Sequence, residues 1–231
     1  METSLHRALK ERFGTLNGGR CEVAVNGFRI DAVAEDGALI EIQSGSLGAL
    51  KPKLKSLLPS HRVRVVRPMV LQRTIVRRDR LDGPDLSRRR SPKRGVLDDV
   101  FDDLVGLASL LSDPNLTVEL LGVAVEEIRA AGRPRHRRGR GRGHVVLDRR
   151  LDSILASETI ARGVDLWNLL PLEFPRFEPF TTADLARKLG RPLFFAQRVA
   201  YCLRLAGAAR MVGKRGNSLI YRSTEDVALV T

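Results

Sequence analysis

Between residues 20 and 43 the chain alternates apolar and polar positions and is interrupted twice by sequences that do little except turn. Cys21 to Val25 alternates, Asn26-Gly27 follows, Phe28 to Ala34 alternates again, Glu35-Asp36-Gly37 turns, and Ala38 to Gln43 makes a third run. Alternation has the period of a strand, and Asn-Gly between two such runs is a strong hairpin signal because both residues accept positive φ. A three-stranded antiparallel meander is therefore expected. Helices bracket it: Leu5, Leu9, Phe13 and Leu16 recur at spacings of three and four, so Ser4 to Leu16 is expected as an amphipathic helix ended by Asn17-Gly18-Gly19. Leu47, Leu50, Leu54, Leu57 and Leu58 mark a second helix running to Pro59, and Val63, Val65 and Val66 mark a fourth strand. The resulting order is helix, three strands, helix, strand.

Within that frame Asp31 lies in the second strand, and Glu41 and Gln43 lie two apart, on one face of the third. A hairpin partner brings Asp31 alongside them. Two carboxylates converging on a sheet edge suit Mg²⁺ (or Mn²⁺), a hard ion that takes oxygen ligands and keeps several waters.

Gly27-Phe-Arg-Ile-Asp31, then Ile40-Glu41-Ile42-Gln43 with nine residues between Asp31 and Glu41, set in this order of elements, resembles the PD-(D/E)XK nuclease superfamily, whose core is αβββαβ. The resemblance covers about the first 65 to 70 residues. It implies that Asp31 and Glu41 bind metal and that the residue two after the Glu, usually Lys, helps place or activate the attacking water. Gln43 occupies that position. An amide can orient a water but cannot neutralise developing negative charge or act as a base. In some members the Lys comes from the following helix, where Lys51, Lys53 and Lys55 are available, and Lys53 is preferred. The superfamily often adds an acid from the first helix or its neighbourhood, and the candidates here rank Glu2, Glu22, Glu11. The implied chemistry is metal-assisted phosphodiester hydrolysis, with Gln43 orienting water and Lys53 offsetting charge.

The charge distribution points to a polyanion. The chain has 231 residues and a formal net charge of +13. By segment the net is +4 over 1–70, +6 over 71–95, −7 over 96–132, +7 over 133–150, −3 over 151–180 and +6 over 181–231. Three basic blocks separated by acidic ones suggest several elements facing nucleic acid. The densest, Arg133 to Arg142, holds six arginines in ten positions, Arg135, Arg137, Arg138, Arg140 and Arg142 among them. With glycine, proline and no aromatic residue, it is expected as a flexible loop giving sequence-independent affinity.

The last fifty residues carry a second pattern. Thr181-Thr182-Ala183-Asp184 opens a helix, Gly190-Arg191 turns, and Pro192 begins a helix running to about Ala206. A hairpin follows around Gly213 to Asn217. The order resembles a winged helix-turn-helix. It implies major-groove contacts by Gln197, Arg198, Tyr201 and Arg204, and backbone or minor-groove contacts by Lys214 and Arg215 on the wing. Phe195, Val199, Cys202, Leu203 and Ala206 form the inner side of that helix, and Cys202 reads as a core residue.

In the middle, Val96 to Leu111 is apolar at helical spacing with Asp98, Asp99, Asp102 and Asp103 on a solvated face. Leu116 to Val125 reads as a strand that pairs across the arginine loop with Val145 to Asp148, while Leu151 to Ser157 and Val164 to Leu170 read as helical. The histidines show no ligand spacing among themselves. The expected layout is a nuclease-like α/β domain at 1–80, a basic linker at 81–95, a mixed region at 96–178 and a winged helix at 179–231. The polar N-terminus, the short apolar runs and two distant cysteines favour a cytoplasmic protein with no membrane span. Double-stranded DNA is the expected partner and a homodimer the candidate assembly. Two functions follow: a DNA endonuclease, or a non-catalytic transcriptional regulator or chromosome-binding protein that binds DNA on an inactive nuclease-like core. A regulatory subunit whose winged helix binds protein is a third.

Overall fold

The computed structural model describes residues 3–15, 18–134, 142–171 and 174–225, with backbone alone at 132–134 and 142. It is an α+β structure built on one large mixed sheet of seven strands and a smaller sheet of three. Helix α1 (Ser4–Phe13) is capped by Thr3, whose hydroxyl accepts from the His6 amide at 3.3 Å. It ends at Gly14, where a Cβ would lie 2.7 Å from Cys21 Sγ and 2.9 Å from Ala32 Cβ, so only glycine lets the chain approach so closely. The meander follows as β1 (Arg20–Val25), β2 (Phe28–Val33) and β3 (Leu39–Ile42). Asn26 (φ 50°) and Gly27 (φ 77°) make the β1–β2 turn with two positive φ angles.

A 3₁₀ turn at Leu47–Leu50 leads into α2 (Lys51–Leu57), which returns the chain to β4 (Val63–Arg77), parallel to β3 with Glu41 opposite Val65. Beyond β4 lie β6 (Leu116–Pro134), parallel to it, and β7 (Arg142–Ile160), antiparallel to β6. Because β4 is 15 residues long, β3 fills only the start of one edge, and β5 (Ser87–Arg90) pairs antiparallel with its far end. The basic segment 81–95 thus contributes a strand where a linker is expected.

Two other expectations fail for physical reasons. Leu151 to Ser157 is part of β7, not a helix. Leu151 and Ile154 both meet the α1 side of the core although three residues apart, because the β6–β7 register slips between Ala124 and Val125, where Asp152 is passed over. A bulge therefore imitates helical spacing. Val96 to Leu111 is not one helix: a single α turn, α3 (Phe101–Leu104), lies between 3₁₀ turns at Leu97–Val100 and Ala108–Leu110. Gly106 lies so close to Gly48 that a Cβ would meet its Cα at 2.6 Å, and this approach holds the segment against the turn before α2.

The sheet is covered on both faces. On one, Leu5, Leu9 and Phe13 of α1 bury Ala32, Ile40, Ile42, Val66 and Val123. On the other, α2 and α3 share a continuous core with the C-terminal elements β8 (Phe180–Thr181), α4 (Thr182–Leu189), α5 (Leu193–Leu205), β9 (Ala209–Arg215) and β10 (Ser218–Ser223). Thr181 and Asp184 cap α4 reciprocally, and Gly190 ends it at φ 60°. Phe195 meets Phe101 edge-on with ring centres 6.5 Å apart, and the Trp167 indole donates to the Ala208 carbonyl at 3.1 Å. Arg191 pairs with Asp98 and Asp99, and Arg198 with Asp102, which fastens α5 to the α3 segment. Burial lifts the Cys202 thiol to about 12, which suits its place in the core. Among the described residues no helix is long and apolar enough to cross a membrane.

Candidate active site

The β2–β3 ladder pairs Val33 with Leu39 and Ala32 with Ile40. One residue further along each strand stand Asp31 and Glu41, and there side chains take over the main-chain exchange. Asp31 Oδ2 accepts from the Ile42 amide at 2.8 Å. Asp31 is therefore tied to the strand that carries Glu41. From one side α1 brings His6, whose Nε2 lies 3.3 Å from Asp31 Oδ1. From the other α2 brings Lys53, whose ammonium donates to Glu41 Oε1 and to the Arg29 carbonyl, both at 2.5 Å.

Environment separates the two carboxylates. Burial pushes Asp31 upward, but the His6 and Ile42 hydrogen bonds outweigh it and hold the group below its ordinary 3.8. At Glu41, only 6% exposed, burial prevails over the Lys53 hydrogen bond and charge, and the group sits above its ordinary 4.5. Neighbouring carboxylates driven in opposite directions are a pattern found where acid–base roles are divided.

A cleft of about 360 Å³ opens beside Asp31, lined by Thr3, His6, Lys10, Glu22, Arg29 and Ser44. Glu22, at φ 58° within β1, pairs with Lys10 at 2.9 Å and also with Arg29. It shares the cleft with Asp31 while its own carboxylate is taken up by these cations. Glu11 is exposed toward the opposite end of α1, and Glu2 lies outside the described residues. Gln43 is turned away: its side-chain amide donates to the Ser46 carbonyl at 2.7 Å and holds the loop after β3. Lys53 thus reaches Glu41, while the amide two residues after that acid is occupied elsewhere.

Asp31 and Glu41 form a pair. Among the described residues no group of three or more His, Cys, Asp and Glu is arranged as a metal centre. Two carboxylate oxygens from adjacent strands remain a suitable donor set for Mg²⁺, which takes one or two carboxylates and completes its shell with water and phosphate.

On α5, Gln197, Arg198, Tyr201 and Arg204 all lie on the exposed side. Arg198 contacts Asp102 at 2.6 Å and lies over the Phe194 ring, and Arg204 lies over Tyr201. Lys214 and Arg215 are exposed near the tip of the β9–β10 hairpin. Arg135, Arg137, Arg138 and Arg140 lie outside the described residues, and Arg142 opens β7.

Sequence reasoning missed His6 and Lys10. They lie one helical turn apart on α1, beside Leu5 and Leu9, and both line the cleft. A polar i, i+4 pair flanking an apolar stripe was the available signal, and only the placement of α1 over β2 gives it meaning.

Residues 3–161 match a family described as "Domain of unknown function (DUF8091)", and the match stops one residue past the end of β7. A protein of Treponema pallidum (strain Nichols), titled "Uncharacterized protein", is 35% identical over 225 residues, covering 96% of this chain and 85% of the relative. The similarity to that relative thus runs through the C-terminal helices as well. No solved structure matches. With most of its length covered by the family, this chain belongs to DUF8091.

Proposed function

We propose that this protein is a metal-dependent phosphodiester hydrolase acting on DNA, with a restriction-endonuclease-like core at its N-terminal end and a winged helix-turn-helix as its DNA anchor. The observation that carries the reading is the delivery of Lys53 from α2 to Glu41, beside Asp31 on the adjoining strand. It supplies, from the following helix, the cation that Gln43 cannot provide. Asp31 and Glu41 would hold Mg²⁺ (or Mn²⁺), which when bound would polarise the scissile phosphate and acidify a water. Lys53 offsets charge building on the phosphoryl oxygens. His6 fixes the orientation of the Asp31 carboxylate, and Lys10 and Arg29 place positive charge along the cleft wall. The helix α4, the turn at Gly190, the helix α5 and the hairpin β9–β10 follow one another in winged-helix order, with the outer side of α5 open to a major groove. The Arg198–Asp102 pair, with both side chains 46% exposed, is weak enough to exchange for DNA contacts.

Supercoiled plasmid with Mg²⁺ or Mn²⁺ tests this. Nicking or cleavage is expected, and Asp31→Asn and Glu41→Gln should each lower it by ~100-fold or more while leaving DNA affinity unchanged.

A second reading, a non-catalytic DNA-binding regulator, is favoured by the engagement of Gln43 with Ser46 and by the partners already held by Glu22, Asp31 and Glu41, which are Lys10, His6 and Lys53. Tight DNA binding with no cleavage of duplex, single-stranded, branched or modified DNA would establish it.

A further inference from the structure

Strands β4, β6 and β7 continue well past the point where β3 ends, and their continuation carries arginine in register. Residues opposed across β5, β4, β6 and β7 read Arg89, Ile75, Glu127, Arg149 in one row. Two positions along β4, the row reads Ser87, Arg77, Arg129, Val146. Opposed residues share a face, and rows two apart share it as well. A groove of about 430 Å³ lies there, lined by Ile75, Arg77, Arg89, Arg129 and His144 among others.

Its charge is unbalanced. The acid in the first of these rows, Glu127, is 1% exposed and already meets Arg73 at 3.4 Å, Arg149 at 2.9 Å and Arg129. Arg77 and Arg89 are exposed and, among the described residues, form no ion pair. The groove is also linked to the cleft. The amide and hydroxyl of Ser4, at the start of α1, bond Asp148 on β7 at 2.9 and 2.6 Å, next in sequence to Arg149, while Thr3 and His6 on either side of Ser4 line the cleft.

We infer that this arginine groove seats the phosphate backbone of duplex DNA, leading the strand toward the His6–Asp31 cleft. The four strands span roughly 14 Å at about 4.8 Å per interval. That is wide enough to meet the two phosphate rows that flank a DNA groove of roughly 6 to 12 Å. Among the lining residues named above, only the His144 imidazole could stack on an unpaired base, against three arginines that meet phosphate, which favours a duplex over a single strand. The choice of DNA rests on the reading of the cleft given above; the anion-binding character of the groove does not.

The test is the salt dependence of binding to a fluorescent 20-base-pair duplex in EDTA, where no cleavage intervenes. Arg77→Ala with Arg89→Ala should weaken binding roughly tenfold near 0.1 M salt and reduce the log–log slope by about 2, since each lost phosphate contact removes about 0.9. Melting temperature should stay unchanged, because both side chains are exposed and outside ion pairs. The corresponding double lysine variant should restore the slope. An unchanged slope in the alanine variant, or an equal loss for a single strand of the same length, overturns the inference. A wild type that binds with the expected slope but never cleaves keeps the groove and removes the cleft reading. A double alanine variant that binds and cleaves as the wild type does the reverse.

Discussion

Asp98, Asp99, Asp102 and Asp103 on one side, and Asp31 with Glu41 on the other, are both acid pairs or clusters next to apolar residues, yet they end in different surroundings. Each member of the first group meets an arginine from a distant element: Asp98 and Asp99 meet Arg191, Asp102 meets Arg198, and Asp103 meets Arg67. These acids fasten the C-terminal helices and the strand β4 to the α3 segment. Asp31 is instead fixed by the Ile42 amide of the adjoining strand, at the point where a ladder opens, and Asp31 and Glu41 face His6 and Lys53. Acids spaced along one short segment serve docking, whereas acids facing each other across two strands make the candidate site. Spacing within a segment says less about chemistry than convergence between segments.

The comparison breaks most visibly at Arg191. Its guanidinium lies 3.9 Å from the centre of the Phe195 ring as well as 3.3 Å from Asp98 and 2.6 Å from Asp99. Arg191→Ala strips a partly buried Asp98, already pushed upward by burial, of its cation. A loss of about 2 kcal/mol in urea unfolding is expected, with metal-dependent cleavage per folded molecule unchanged. No loss would mean that the acidic cluster is not a fastening.

The next effect separates the two carboxylates of the site. Asp31 has a lowered folded value, so it contributes stability above its ordinary 3.8 that is lost as pH falls through that lowered value. Glu41 has a raised one, so its contribution is full below 4.5 and is lost as pH rises through the raised value. Asp31→Asn should therefore be less stable than wild type at pH 7, by ~1 kcal/mol for a charge-assisted bond to an amide, with the gap closing in acid. Glu41→Gln should be at least as stable as wild type at pH 7. Chemical unfolding at pH 7 and pH 3.5 reads both, and matching losses for the two variants would contradict the division of roles. Smallest is Arg198→Ala: with both partners 46% exposed, it should cost under about 0.5 kcal/mol.

Much of the N-terminal element order was readable because its signals are local. Asn26-Gly27 fixes a turn, Leu5, Leu9 and Phe13 fix a face, and Lys53 lies where the helix after the meander could carry it back to Glu41. What escaped was non-local. β7 reads as partly helical because a bulge places Leu151 and Ile154 three apart on one face, and the segment 81–95 reads as a linker because the β4 edge that β5 occupies has no local signature. His6 joins Asp31 across 25 residues, a distance no periodicity reports. The docking of α5 likewise depends on charges more than 90 residues apart, Arg191 with Asp98 and Asp99.

The most direct test of the central claim is a crystal of the full chain soaked in Mn²⁺. The account predicts an anomalous peak between Asp31 and Glu41, with Lys53 shifted from Glu41 toward the space a phosphate would occupy. No peak there at millimolar Mn²⁺, with His6 still on Asp31 and Lys53 still on Glu41, would contradict it.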